Sequence, residues 1–171
     1  NLAANITTTD TNLTIGGNLV IAEAATPTLS TGAGTAGNVL VSGTTNGTTG
    51  GVAETLTVQA GTGTATFTGN VGNNANGTEL EALTITNAAA TTFSGTLDLA
   101  NALTQTNAAT GTTTFTGAVA VGSADLKGTA YALNNSFASG GTTSITNSGT
   151  VTKNATGNIT STGAFSTTGD V

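Results

Sequence analysis

The 171-residue chain contains no cysteine, histidine, arginine, methionine or tryptophan. Each absence closes off a class of chemistry. Without cysteine there is neither a disulfide framework nor a thiolate metal site. Without histidine, none of the abundant serines and threonines has a base to make it a nucleophile. With no arginine and lysine only at Lys127 and Lys153, the chain cannot neutralise a run of phosphates. Nucleic acid and anionic lipid surfaces are therefore excluded as main partners. No apolar run approaches the roughly 18 residues of a membrane-spanning helix. A chain that opens on Asn1 without methionine is expected to be a processed product or a piece of a longer protein, its export signal gone.

Charge is scarce as well. Charged residues are 6 % of the total, against about 25 % in an ordinary globular domain. Disordered chains combine low hydrophobicity with high charge. Here apolar residues reach 36 % and the net charge is −6, which argues for a folded chain. Glycine, threonine, alanine and asparagine supply most of the remainder, and Pro27 is the one proline.

Three segments echo one another: ETLTVQAGTGTATFTGNV at 54–71, EALTITNAAATTFSGTLDL at 81–99 and ALTQTNAATGTTTFTGAVAV at 102–121. Each opens on a Leu-Thr pair (Leu56, Leu83, Leu103), passes a small-residue turn and reaches Phe-Ser/Thr-Gly (Phe67, Phe93, Phe115). The phenylalanines are 26 and 22 residues apart, so the repeat varies in length. Within each unit, apolar and polar residues alternate, as in Leu56-Thr57-Val58, Leu83-Thr84-Ile85 and Val119-Ala120-Val121. Period two with β-branched residues reads as strand. The best helical candidate, IAEAAT at 21–26, is too short to stand alone. AGTG, NNANG and SGTTNGTTGG read as turns or loops. Towards the end the style loosens, with Ile145, Val151, Ile159 and Phe165 spaced by 6, 8 and 6.

Short strands of three to five residues recurring at this period predict an all-β fold. The expected form is a parallel β-helix, or β-solenoid, spanning residues 1–171 as one repetitive domain, clearest over 54–121. Coils stacked about 4.8 Å apart would form a rod with a narrow apolar lumen. The core candidates are Leu56, Val58, Phe67, Leu83, Ile85, Phe93, Leu103, Phe115 and Val119, with the phenylalanines as an internal ladder. In GTTTFTG at 111–117, Phe115 is expected inward, the threonines on the pleated surface and Gly117 at the bend. The alternative fold is an antiparallel β-sandwich of the bacterial Ig-like kind with terminal strand exchange.

Segments such as LTVQAGTGTATFTGNVG, LTITNAAATTFSGTL and LTQTNAATGTTTFTGAV resemble the β-strand repeats of large haemagglutinin-like, adhesin-type surface exoproteins of Gram-negative bacteria. The resemblance covers 54–121. It implies a right-handed parallel β-helix, extracellular display at the cell surface, and a role as stalk, adhesive fibre or biofilm-matrix component.

Reactive groups are sparse. The acids Asp10, Glu23, Glu54, Glu79, Glu81, Asp98, Asp125 and Asp170 are scattered, with Glu79 and Glu81 the one near pair. In a strand both would point to one face, as a solvated edge that discourages aggregation. Glycoside chemistry needs two carboxylates set across a bond, usually with basic groups nearby, so the chain is expected not to be an enzyme. No catalytic, cofactor or metal site is expected. The glycine/aspartate nonapeptide of calcium-binding β-rolls and the EF-hand loop are both absent. A weak Ca²⁺ site near Asp10 or Asp125 is the residual metal reading. Sequons occur at Asn5, Asn12, Asn46, Asn76, Asn134, Asn154 and Asn158.

The expected function is an extracellular structural protein: a self-stacking β-rich module of a cell-surface fibre, filament or adhesin stalk. Its partner would be itself, head to tail or through continuing repeats, because an open solenoid exposes unpaired backbone at each end. The alternative is a binding module. It would bind ice through Thr-x-Thr rows such as 64–68 and 112–116, with irregular coil length counting against a matched lattice. Surface glycans are the other ligand class, weakened by the lack of aromatics besides Tyr131 for sugar stacking. With cleavage sites only after Lys127 and Lys153, exhaustive trypsin digestion of the denatured chain should yield no more than three fragments by mass spectrometry.

Overall fold

The computed structural model describes residues 1–170 except 35–36, 49–52, 74–75 and 155–156, and the backbone alone at 107–110. Every paired strand is parallel to its neighbours, and no α-helix occurs among the described residues. The chain is a β-solenoid of about seven turns, which excludes the antiparallel sandwich.

Three faces build each turn. The first carries Ile6–Thr7, Thr28–Ser30, Thr55–Gln59, Ala82–Asn87, the opening of Ala102–Phe115, the opening of Ser123–Leu133, Thr143–Asn147 and Phe165–Thr167. The second carries Leu13–Ile15, Val39–Val41, Thr64–Phe67, Ala90–Phe93, the ends of the two long strands, and Val151–Lys153. The third runs through Leu19–Val20, Thr45–Asn46, Val71, Leu97–Asp98, Val119–Val121, Phe137–Ser139 and Ile159–Ser161. The loose tail spacing thus marks one full turn: Ile145 on the first face, Val151 on the second, Ile159 on the third, and Phe165 on the first again.

Two sequence expectations need correction. The segment between Leu103 and Phe115 is no turn: Ala102–Phe115 is one 14-residue strand that rounds the corner through register shifts between Gln105 and Ala109 and between Ala109 and Thr112. Ser123–Leu133 does the same over 11 residues. A shorter coil leaves no residues for a loop, so a bulge bends the strand instead. Within SGTTNGTTGG, which extends beyond the described residues, Thr45–Asn46 is a strand paired with Leu19–Val20. The pairing partner lies one coil back and is invisible to local turn chemistry. NNANG likewise falls partly outside the described residues.

Alternation sets what lies inside. The lumen holds Leu56, Leu83 and Leu103 in one column and Val58 and Ile85 in the next. Phe67, Phe93 and Phe115 form a third column, with Val119 on the third face. All nine are buried. Ring centroids are 5.2 Å apart from Phe67 to Phe93 and again to Phe115, with ring planes 6° and 2° from parallel. Phe137 then meets Phe115 edge-on at 5.8 Å. Such pairs contribute about 0.5–1.5 kcal/mol beyond their buried area.

The corner leaving the second face is a column of glycines. A Cβ on Gly69 would lie 2.4 Å from the Gly43 carbonyl oxygen, one on Gly95 2.7 Å from the Gly69 carbonyl carbon, and one on Gly117 2.2 Å from the Gly95 oxygen. Backbone stacks on backbone here, with the Asn70 Oδ1 also within 2.5 Å of the Gly95 Cβ position, and the backbone atoms cannot move aside. Asparagine joins coils at this corner and at the one entering the second face: Asn70, and Asn12 and Asn38, accept hydrogen bonds from the backbone N–H of Thr96, and of Asn38 and Thr64, each 26 residues on, at 2.8–3.0 Å. Gly95→Ala is expected to cost about 3 kcal/mol in chemical denaturation, the upper end for overpacking. Gly16→Ala, with nothing within 4 Å, should cost far less.

Candidate functional surfaces

Carboxylates come first, since they are the most reactive groups available. Glu54, fully buried at the corner before the first face, accepts hydrogen bonds on Oε1 from the Thr48 N–H (3.2 Å) and the Thr48 hydroxyl. Glu79 and Glu81 do not lie together in a strand; they flank Leu80, which bridges to Leu99 where the chain turns toward the first face. Glu81 accepts from the Asn101 amide one coil on. The position a Gly47 Cβ would take is 3.0 Å from the Glu79 carbonyl oxygen and 3.3 Å from the Glu54 carboxyl carbon. Gly47 thus lies between the Glu79 backbone and the Glu54 carboxyl, and the Glu81 N–H donates to the Glu54 carbonyl at 2.8 Å, a contact between coils that the near pair in the sequence does not signal. Asp125 pairs with Lys127 at 3.3 Å, both half-exposed, and Asp10 is exposed with φ 58°. Among the described residues no three carboxylates gather to hold a metal ion.

Polar groups also occupy the lumen. Period two puts Thr91 and Thr113 on the same side as Phe93 and Phe115, so these threonines point inward rather than onto the pleated surface. The Thr113 hydroxyl donates to Gln105 Oε1 at 2.9 Å, tying the second face to the first through the core. Tyr131 stacks next in that column, 1 % exposed, with its hydroxyl unpartnered among the described residues. It fits because position 128 is glycine: a Cβ there would lie 2.7 Å from the Tyr131 oxygen and 3.0 Å from Gln105 Nε2. Outside this corner an open cavity of about 360 Å³ is lined by Thr106, Lys127, Gly128, Thr146, Asn147 and Ser148. Asn147 is committed within it, donating to the Gly149 carbonyl and accepting from the Gly169 N–H.

The outer surfaces of the faces differ. On the first face Thr86 and Thr106 donate their hydroxyls to the Val58 and Thr86 carbonyls one coil back, and the Asp125–Lys127 pair adds charge. The third face carries Asp98. The second face presents Thr64, Thr66 and Thr68, then Ala90, Thr92 and Ser94, then Thr112, Thr114 and Thr116, in register. None of the eight carboxylates falls on its rungs from Leu13–Ile15 to Val151–Lys153. The ammonium of Lys153, at its far end, is held by the Asn154 and Gly157 carbonyls.

The last rung is open. Phe165 continues the column of Leu103, Ala124 and Thr143, whose members are 1–3 % exposed, yet it is 41 % exposed itself. Comparison of the chain with family models, curated proteins and solved structures finds no match.

Burial pushes the Tyr131 phenol well above its ordinary range, and the charge of Asp125 adds to the effect. Above about pH 10 the unfolded tyrosine releases its proton while the folded one keeps it. The folded state then binds more protons, so stability falls as pH rises through that point. Urea denaturation across pH 8–11 should show a loss at the alkaline end that Tyr131→Phe reduces. At neutral pH Tyr131→Phe is expected to be neutral or stabilising, because it removes a buried hydroxyl without a partner.

Proposed function

We propose that this chain is an extracellular structural module, a self-stacking β-solenoid of the kind that builds a bacterial cell-surface fibre, filament or adhesin stalk. It acts through length and shape, without catalysis or a cofactor. The observation that carries the reading is Phe165. It occupies a core column at the last rung, and only another coil of like geometry would bury it as its predecessors are buried. Among the described residues, the strands Ile159–Ser161 and Phe165–Thr167 each present a free edge on the same side, while Asp170 already covers the start of Val151–Lys153, and such an edge is a template for strand addition. Near-absence of charge supports the same reading, since little like-charge repulsion opposes end-on approach.

The covering coil is either a second copy stacked head to tail or further repeats of the same kind. For the isolated chain the first case is testable. Sedimentation and electron microscopy should show end-on assembly that grows with concentration. Phe165→Asp should weaken it more than tenfold, since burying a phenylalanine contributes about 2 kcal/mol, while the circular dichroism of the monomer stays unchanged. Discrete monomers at every concentration would overturn self-stacking of the isolated chain.

A further inference from the structure

We propose that the N-terminal coil of a second copy covers Phe165, docked in the register that sets Ile6 over Thr167 and Ala4 over Phe165. The inference rests on the stacking reading above and adds which surfaces meet and how they align. Two core columns end on the last rung of the first face. One runs from Ile6 and Leu29 to Ile145 and Thr167, the other from Leu56 to Thr143 and Phe165. A second copy that continues the first column places its Ile6 on Thr167. Period two then puts Ala4, two residues earlier, on Phe165.

In that register the large side chain of each end meets a small one of the other. Phe165 lies between Thr143 and Ala4, and Ile6 between Thr167 and Leu29. The chain uses the same arrangement internally, where Leu103 rests on Ala124. A shift of two residues sets the ring against Ile6 or Leu2 and leaves Thr167 facing Thr8 or Ala4. Large then stacks on large and small on small, which crowds one column and leaves a void in the next.

Backbone groups fit the same register. Thr143 donates its N–H to the Ala164 carbonyl and Ile145 accepts from the Thr168 N–H, so inward residues of this face point both groups toward the last rung. Phe165 and Thr167 share those columns and do likewise. At the first rung Thr8 donates into the stack, to the Ser30 carbonyl. Alternation turns the groups of Asn5 and Thr7 the other way, out of the stack. Once docked, Thr167 donates to the Asn5 carbonyl and accepts from the Thr7 N–H, repeating the bonds one coil back. The joint is thus the interface already present between successive coils, carried from one molecule to the next.

The third face repeats the match. Leu2 bridges Ile21, one rung before Leu19–Val20. The column that opens on Leu19 ends on Ile159, so Ser161 stands in line with Ile21 and Leu2. Docking rests Leu2 on Ser161, again large on small. The second face is closed instead. Asp170 accepts the Val151 N–H, and Lys153 stands in the column of Phe93, Phe115 and Leu133. Its ammonium turns back to the Asn154 and Gly157 carbonyls. A charged residue at an inward position blunts an edge, so the first and third faces carry the joint.

A chain without cysteine allows the register to be read by cross-linking. Full-length chains carrying Ser166→Cys are mixed with chains carrying Asn5→Cys and oxidised, and Thr168→Cys with Thr7→Cys supplies a second matched pair. Each matched pair should cross-link about tenfold faster than Ser166→Cys with Thr7→Cys, which is offset by two residues and beyond disulfide reach. Sedimentation gives an independent reading if a cysteine variant misfolds. Ala4→Phe should weaken end-on assembly about tenfold by crowding the ring, and Phe165→Ala on the same chain should restore it. Assembly in which the offset pair, or Ser166→Cys with itself, cross-links fastest would overturn this register while leaving stacking intact. Failure of Phe165→Ala to rescue Ala4→Phe would do the same. Monomers at every concentration would overturn both the register and self-stacking.

Discussion

Everything in this molecule depends on one constraint: each coil must satisfy its backbone hydrogen bonds with the coils on either side. In a parallel ladder the N–H and C=O groups of a strand point along the stacking axis, and a buried group left unpaired costs about as much as a lost hydrogen bond. A coil therefore cannot choose its own path. It must return to the same position above its predecessor, within hydrogen-bonding distance, at every residue of every face. In the central coils that places like over like, leucine over leucine and phenylalanine over phenylalanine, whereas later columns pair unlike volumes, as in Leu103 over Ala124 or Thr113 over Tyr131, and neighbouring side chains fill the difference.

The corners show how variable coil length is reconciled with invariant register. Partners on successive rungs are as far apart as Leu29 and Val58, or as close as Phe115 and Leu133. Where residues are plentiful the chain leaves the stack between faces and returns. Where they are few, the strand continues through the corner with a bulge, as in Ala102–Phe115. Glycine and asparagine occupy the tight corners for different reasons. Gly43, Gly69, Gly95 and Gly117 let one backbone rest on the next. Asn12, Asn38 and Asn70 supply an acceptor to a backbone N–H one coil away. Both devices move all irregularity to the edges and leave the faces regular.

The thin lumen also explains a composition with so little chemistry in it. A narrow core accommodates Val, Leu, Ile, Ala and an occasional Phe, and the polar side chains buried among the described residues are mostly small, Ser30, Ser139 and several threonines, with Gln105, Tyr131 and Asn147 the larger ones beside Glu54 at its corner. Charge is kept outside or at corners, where Glu54 and Glu81 are neutralised by donors rather than by cations. The consequence is a surface whose faces differ in kind: one with an ion pair, one with a carboxylate, and one with no carboxylate on its rungs.

Much of the fold was legible in the sequence, for a physical reason. Alternation has period two in any strand, so the inward placement of Leu56, Val58, Phe67 and their repeats follows from local pattern alone. The same parity assigns Thr91 and Thr113 to the lumen, and reading threonine as a surface residue concealed it. The echo of Phe67, Phe93 and Phe115 was sufficient for stacking. Register was not legible, because it relates residues some twenty or more positions apart through backbone atoms that every residue shares. So the sequence by itself determined strands, core and the poverty of reactive groups. Only the tertiary structure decided that the surplus residues leave at corners, that Gln105 meets Thr113 across the core, that the Glu81 N–H meets the Glu54 carbonyl one coil back, and that the rings align to within 6°. Those are distances between coils, and no local pattern encodes them.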